Sequence, residues 1–328
     1  MSLKKCDFDP TDPLWDCLGV GICALDYLSI LDPYPGLDEK IDVLASSIQG
    51  GGPVPTAMAT LSKLGAKVSF VGKVGDDYEG KLIRSELAKF KVNTDYLIVD
   101  KKVKSLKAFI WVDKSSGKRT VALDRIKMSP IKPEELSFLK KVSFRYLHLD
   151  GRDIEANIYM AKKAKKDGSE VVLDLGSLRE NIENLFPYVD YLVVSKKFAY
   201  DYAKLKDLSQ ACLELKKIGF KCVVITISEK GCLWTDSQKV NYFLGFKIDV
   251  VDTTGAGDVF HGAFIFGLLR KWKMAKIIEY ASACAALKCR KLGGREGIPS
   301  LKEVERFLKR KKIYMEVGKP ALPSRRDT

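Results

Sequence analysis

From Phe144 onward the chain repeats one unit. Short apolar runs at Arg145–Leu149, Glu170–Leu175, Tyr191–Ser195 and Lys221–Ile227 alternate with amphipathic stretches at Ile154–Lys166, about Leu178–Phe186, and Phe198–Ile218. Runs that are apolar on both faces must be covered on both sides, and strands separated by helices pair in parallel. The expected fold class is therefore α/β, with a central, mostly parallel sheet flanked by helices. Ligands of such sheets bind beyond the carboxyl ends of the strands. Asp150, Arg152, Asp174, Ser195, Thr226 and Ser228 are expected at that edge, and several are polar or charged.

The first part of the chain departs from this pattern. Leu106–Val112 and Arg119–Leu123 are β-like, and only Ser115-Ser116-Gly117 marks the turn between them, which reads as a hairpin. With Ile41–Ile48 the hairpin is expected to form a small sheet apart from the main one. A lid made of about 33–48 and 97–125 would exclude water from a reacting group. Other strands are expected at Asp16–Gly21, Asp26–Leu31 and Val68–Val74, with helices at Thr56–Leu64 and about Tyr78–Phe90. Helices at Ala275–Lys291 and Leu301–Lys311 close a single domain over residues 1–328, and basic, polar Pro320–Thr328 reads as a disordered tail.

The most informative stretch is Asp252-Thr253-Thr254-Gly255-Ala256-Gly257-Asp258. A β-like run (Phe246, Ile248, Val250, Val251) leads into it, and the apolar helix Val259–Leu269 follows. Small residues let backbone approach a ligand closely. The first N–H groups of a helix lack internal partners and sit at the positive end of its dipole. Gly255, Ala256 and Gly257 thus form an anion site suited to phosphate. Asp258 would repel a phosphate, so it reads instead as a base that takes a proton from an attacking hydroxyl. Gly50-Gly51-Gly52 before another helix suggests a second close approach to a ligand, or a flexible turn. Asp26, near the end of a first strand, is placed to grip sugar hydroxyls, or else is a turn aspartate. His261, on an otherwise apolar helix, reads as a packed core or edge residue.

Charge narrows the partners. Lys and Arg number 56 against 42 Asp and Glu, a formal charge of +14. In Glu155–Lys166 the lysines alternate with Ala156, Met160, Ala161 and Ala164, as the solvated face of a half-buried helix does. Aromatic residues do not interleave with the basic clusters as on a base-stacking surface, so nucleic acid is not an expected partner. A small anionic substrate or a nucleotide uses the same potential. The eight cysteines include no C-x-x-C and read as reduced, buried small hydrophobes. Two histidines argue against a His-based metal site. The apolar run beside the signature is short of the ~20 residues that span a bilayer, and Asp7, Asp9 and Asp12 do not follow the order of a signal peptide. A soluble, cytoplasmic protein without membrane contact is expected.

Taken together, Asp252-Thr-Thr-Gly-Ala-Gly-Asp258 with Phe260 and Gly262-Ala263-Phe264 resembles the C-terminal signature of the PfkB (ribokinase-like) carbohydrate kinases. Gly50-Gly51-Gly52, Leu64-Gly65 and Gly72-Lys73-Val74-Gly75-Asp76 resemble the N-terminal signature. Thr226-Ile227-Ser228-Glu229-Lys230-Gly231 is similar to the nucleotide loop, and Gly293–Pro299 to the C-terminal segment of sugar kinases in this group. Leu147–Arg152 resembles the fructokinase-like and ketose-kinase-like branches. The resemblance implies a ribokinase-like fold and ATP- and Mg2+-dependent phosphorylation of a sugar hydroxyl. It implies Asp258 as base and Gly255, Ala256 and Gly257 as anion hole. Asp26, Gly51 and Gly52, with Arg152 at the same edge, fall at sugar-binding positions. Ser195, Thr226, Ser228 and Gly231 fall at nucleotide positions, with Ala283 and Ala286 near adenine. The carbonyl edge at Asp252 and Thr254 is similar to where the family often holds a monovalent cation such as K+.

Three positions depart from that pattern. Gly52–Thr56 carries no Asn, which leaves the sugar open among ketoses, ribose and sugar acids. Ser195-Lys196-Lys197-Phe198 stands where Asn-x-x-Glu is linked to magnesium, so the metal would be held by phosphates, water or other carboxylates. Ser228 stands where Gly is common. Two other classes remain open. Gly19–Ala24 matches G-x-G-x-x-A and would suit a nicotinamide oxidoreductase, but Pro33 and Pro35 deny it the helix that motif needs. A non-catalytic binding protein on a kinase scaffold would also fit the charge. The small sheet would let two copies pair as a homodimer.

Overall fold

A computed structural model of the chain describes residues 14–125 and 127–317. The first half runs β1 (Trp15–Val20), β2 (Ala24–Leu31), β3 (Ala45–Gly51), α1 (Pro53–Lys63), β4 (Val68–Val71), β5 (Lys73–Gly75), α2 (Tyr78–Lys89), β6 (Ile98–Asp100), β7 (Leu106–Asp113) and β8 (Arg119–Asp124). The second runs β9 (Phe144–Leu149), α3 (Ile154–Lys166), β10 (Glu170–Leu175), β11 (Tyr191–Ser195), α4 (Lys196–Ala203), α5 (Leu208–Lys217), β12 (Cys222–Thr226), β13 (Gly231–Thr235), β14 (Asn241–Leu244), α6 (Ala256–Leu269), α7 (Met274–Lys288) and α8 (Leu301–Val317). The main sheet has the order β14-β13-β12-β11-β10-β9-β1-β4. It is parallel from β4 to β12, and β13 and β14 add an antiparallel edge.

Successive residues of a strand face opposite sides, and both sides here are core. Val172, Val193 and Val224 pack toward α1, α6 and α7, while Leu173, Leu192, Val194 and Ile225 pack toward α3, α4 and α5. The expected parallel sheet covered on both faces is what forms. The small separate sheet also forms, in the order β3-β2-β7-β8. The chain passes from β1 to β2 through Gly21–Cys23, so the first strand of the small sheet follows directly from the main one.

Five elements differ from the sequence reading. The strand expected at Ile41–Ile48 lies at Ala45–Gly51, because its register is set by antiparallel pairing with β2. Val68–Val74 is two strands: β4 belongs to the main sheet and β5 pairs with β6. Phe198–Ile218 is two helices. Lys204 ends α4 at a left-handed φ of 53°, and the Asp207 carboxylate starts α5 by accepting from the N–H groups of Ser209 and Gln210. The stretch near Leu178–Phe186 forms only a 3-10 turn, Ile182–Tyr188, with Pro187 inside it. Phe246–Val251 is unpaired chain, not a strand, and the β13–β14 hairpin precedes it. The tail at Pro320–Thr328 lies outside the described residues.

Seven cysteines are buried and unpaired among the described residues. No described helix is long and apolar enough to cross a membrane.

Candidate active site

Helix α6 fixes the site. It is buried without a break from Val259 to Leu268, as a helix apolar all round must be. His261, in its second turn, anchors its start to the sheet. The ring lies 2.7 Å from the Gly257 carbonyl, 3.3 Å from the Val193 carbonyl of β11, and 3.5 Å from the Asp174 carboxylate of β10. The histidine is thus a buried anchor, as read from the sequence. The N-terminus of α6 thereby comes to the ends of β10 and β11.

Gly255 caps α6 at φ 74°, a conformation open to glycine at little penalty. A Cβ there would lie 2.8 Å from the Cα of Gly294. Gly255→Ala is therefore expected to lower stability by at least about 1 kcal/mol, the left-handed penalty alone, read from the midpoint of urea unfolding. At Gly257, by contrast, a Cβ would meet nothing within 4 Å, so the turn is open on that side. No acceptor among the described residues takes the backbone N–H of Gly255, Gly257 or Asp258. Three donors stand at the positive end of a helix beside open space, but Ala256 of the expected trio is not one of them, because its N–H donates to the Thr253 carbonyl at 3.2 Å.

Asp258 is the third residue of α6 and is half-buried. Burial first, and then the nearby Asp174 carboxylate, push its carboxyl up to about 6, against the pull of His261, Arg119 and Lys288. It is ionised at neutral pH and titrates close to it. Asp26, on β2, is more deeply enclosed. Burial raises its carboxyl to about 7, with Arg295 opposing and Asp258 adding to the rise.

The three glycines before α1 have a different local role from the one expected. Gly50 and Gly51 are strand residues of β3, not a turn. A Cβ on Gly51 would lie 2.1 Å from Asp26 Oδ1, and one on Gly50 would lie 2.2 Å from Arg295 Nη1. They clear room for a buried carboxylate and a buried guanidinium. Gly52 caps α1 at φ 98°.

Arg295 was not singled out in the sequence. It is 1% exposed. Nη2 donates to the Gly51 carbonyl at 2.9 Å and Nε to Thr56 Oγ1 at 3.3 Å, while Nη1 has no partner. The signal was available in Gly293-Gly294-Arg295, where an arginine sits in a loop otherwise built of small residues.

A second group of arginines stands at the same edge. Arg152 follows β9 and is half-buried with its Nε unpartnered, and Arg179 has the same status. Burial and the neighbouring Arg179 lower the Arg152 pKa; Asp150 opposes and Arg125 adds to the fall. Arg119, on β8, reaches the signature turn at Thr253. The tip of the same hairpin is bonded there too: the Thr253 N–H and hydroxyl both donate to the Gly117 carbonyl, at 3.2 and 3.1 Å.

The nucleotide positions read from the sequence lie along the far half of the edge. Thr226 ends β12, and its hydroxyl donates to the Val194 carbonyl. Ser228 is exposed at φ 52°, a backbone that glycine adopts freely and serine with strain. A Cβ on Gly231 would lie 1.9 Å from the Phe243 carbonyl. The Ser195 hydroxyl caps α4, accepting from the Phe198 N–H at 3.1 Å and donating to the Gly176 carbonyl at 2.8 Å. Of the two alanines on α7, Ala283 is fully enclosed in the core and only the half-buried Ala286 offers surface.

An open cleft of about 570 Å³ lies away from these groups. Its Lys165 and Lys221 are paired with Asp190 and Glu170.

Free backbone donors with a carboxylate beside them, on the carboxyl edge of a covered α/β sheet, suit phosphate chemistry, and the protein's relatives place it among phosphotransferases with an alcohol group as acceptor. Comparison gives the particular group. Residues 33–301 match the pfkB family carbohydrate kinase domain, and the chain belongs to that family. It is 26% identical over 270 residues to a ribokinase of Haemophilus influenzae, covering 79% of this chain and 87% of that one. It is 24% identical over 296 residues to a ketohexokinase of Mus musculus, covering 86% and 98%. The structure of Arabidopsis thaliana ribokinase complexed with ribose and ATP superposes with a TM-score of 0.76 at 25% identity, covering 90% of this chain and 99% of that one.

Proposed function

We propose that the protein transfers the γ-phosphate of ATP to a hydroxyl of a sugar or sugar acid, with Asp258 as the base. The observation that carries this reading is the pairing of an ionised carboxylate with an open cradle of three backbone donors on one helix turn. Asp258 takes the hydroxyl proton as the oxygen attacks. The N–H groups of Gly255, Gly257 and Asp258 hold the charge that develops on the phosphoryl oxygens. Asp26 accepts from the sugar's other hydroxyls and fixes which one faces the base.

Thr226, Ser228, Gly231 and Ala286 line the path for the nucleotide, and the Ser195 hydroxyl supports that edge through its cap. Mg2+ would be held near the phosphates mainly by their oxygens and by water, since no cluster of three metal-ligating side chains forms among the described residues. The metal would neutralise phosphate charge. The small sheet acts as a lid, since Arg119 and Gly117 already touch the turn. Arg125 and Arg179 both act on Arg152, and an anionic group on the acceptor relieves that repulsion. A sugar acid or sugar phosphate is thus favoured over a neutral ketose or ribose. A reducing, cytoplasmic setting suits the seven unpaired cysteines among the described residues.

ADP release in the presence of neutral ketoses, pentoses, sugar acids and sugar phosphates tests the assignment. Turnover with an anionic acceptor is expected, and ATP binding with no turnover on any sugar would overturn it. The pH profile is a second check. A base with a carboxyl near 6 works only when deprotonated, so kcat/KM is expected to rise through pH 6 and level off above it. One face of the small sheet shows Ile48, Phe109 and Trp111, each more than a third exposed, a patch suited to the matching face of a second copy. Sedimentation is expected to give a dimer, and Trp111→Glu a monomer.

A further inference from the structure

Lys288 is the last residue of α7 and is completely buried, although nothing in the phosphate-transfer scheme uses it. Its Nζ donates to the backbone carbonyl of Asp252 at 2.9 Å. Every other polar group of Asp252 is also taken. Its N–H donates to the Cys289 carbonyl at 3.2 Å. Its Oδ1 accepts from the N–H and hydroxyl of Thr254, at 2.8 and 2.7 Å, and its Oδ2 accepts from the Gly293 N–H at 2.7 Å. The carbonyl edge at Asp252 and Thr254 was expected to hold a monovalent cation. The residues present do not fit one. An ammonium group already occupies the Asp252 carbonyl, and a second cation within contact distance would be repelled in a site with little solvent to screen it.

We infer that the Lys288 ammonium is a built-in replacement for that cation, holding the signature turn from behind. A fixed charge at this point does two things. It pins the Asp252 carbonyl to the end of α7, and so sets the path of Thr253 and Thr254 into the cradle. It also places positive charge behind the donors that face the phosphate, within electrostatic reach of Asp258. A cation-requiring cradle loses its shape when the ion leaves. This one cannot lose its charge to dilution.

The test begins with the wild-type protein in tetramethylammonium chloride, with KCl exchanged in at constant ionic strength. Its kcat is expected to change by less than about twofold, and a tenfold rise, equivalent to about 1.4 kcal/mol of barrier, would overturn the inference. The variant Lys288→Ala is expected to lose about tenfold or more in kcat and to recover part of it in K+ or NH4+, but not in tetramethylammonium. A folded Lys288→Ala that no small cation restores also overturns it, because a merely structural lysine would behave that way.

The inference uses the turn's role in phosphate transfer, so a readout without turnover is needed. The unfolding midpoint of Lys288→Ala is expected to rise with KCl relative to tetramethylammonium chloride, and that of the wild type to stay put, as binding to the folded state alone requires. If Lys288→Ala does not fold, Lys288→Met keeps the packing and carries the same comparison. Absence of kinase activity with an intact K+ effect on the variant's midpoint would reject the proposed reaction while sustaining the cation replacement. A wild-type midpoint that rises with KCl would reject the replacement alone.

Discussion

Asp258→Asn is expected to lower kcat at least about 10²-fold, the lower range for loss of a general base. Asn keeps the shape of the side chain and its place on the first turn of α6, so the nucleotide is expected to bind as before. Coupled ADP release gives kcat, and titration calorimetry with a non-hydrolysable ATP analogue gives the affinity. Stability is expected to move the opposite way. The Asp258 carboxyl is raised to about 6, so the folded protein holds that proton more tightly than the unfolded chain. Its contribution is therefore full below the unfolded pKa and lost as pH rises through 6. At pH 8 the ionised form is a burden, and Asn removes it. A variant that loses turnover and unfolds at higher urea is a lost base, not a damaged fold. Turnover within about threefold of wild type would remove Asp258 from the role of base.

Arg295→Met carries the second large effect. The guanidinium is buried beneath Gly50 and Gly51 and lies within electrostatic reach of Asp26. Removing one member of a buried charge system leaves the other uncompensated, with losses of about 3–5 kcal/mol. The Gly51 carbonyl and Thr56 hydroxyl lose their donors as well. The loss should depend on pH with a defined sign. Asp26 titrates near 7, so its charge is present at pH 8 and mostly absent at pH 6. Urea unfolding is expected to show the larger loss at pH 8, and Asp26→Asn in the same chain should recover part of it. A loss below about 1 kcal/mol that is equal at both pH values would reduce Arg295 to a space-filler.

The fold was legible where periodicity was regular. Strands β9 to β12 were readable because each is a continuous apolar run between helices. The breaks were less so. Nothing in the apolar pattern of Phe198–Ile218 marks Lys204 as left-handed, and the start of α5 is visible only in Asp207 as a cap. Gly50 and Gly51 looked like a loop because glycine usually marks one. They sit instead in a strand, because the groups they make room for arrive from β2 and from a loop 244 residues further on. No local reading sees a partner at that distance. The site followed the same division. Asp258 and the turn were readable, since a helix start and its carboxylate are local. Arg295 and Lys288 were not, because each matters through a contact made in three dimensions.

The bonds from Thr253 to Gly117 bear on where this chain tolerates insertion. Hairpin tips are ordinarily safe places for added residues, since little packs on them. The tip at Ser115–Gly117 is an exception: both donors of Thr253 end on one of its carbonyls, five residues before the signature turn closes on Asp258. The other hairpin, β13–β14, turns through exposed Asp236–Lys239 at the sheet's far edge. A peptide tag placed between Ser237 and Gln238 is expected to leave turnover unchanged, whereas the same tag after Ser116 should slow it.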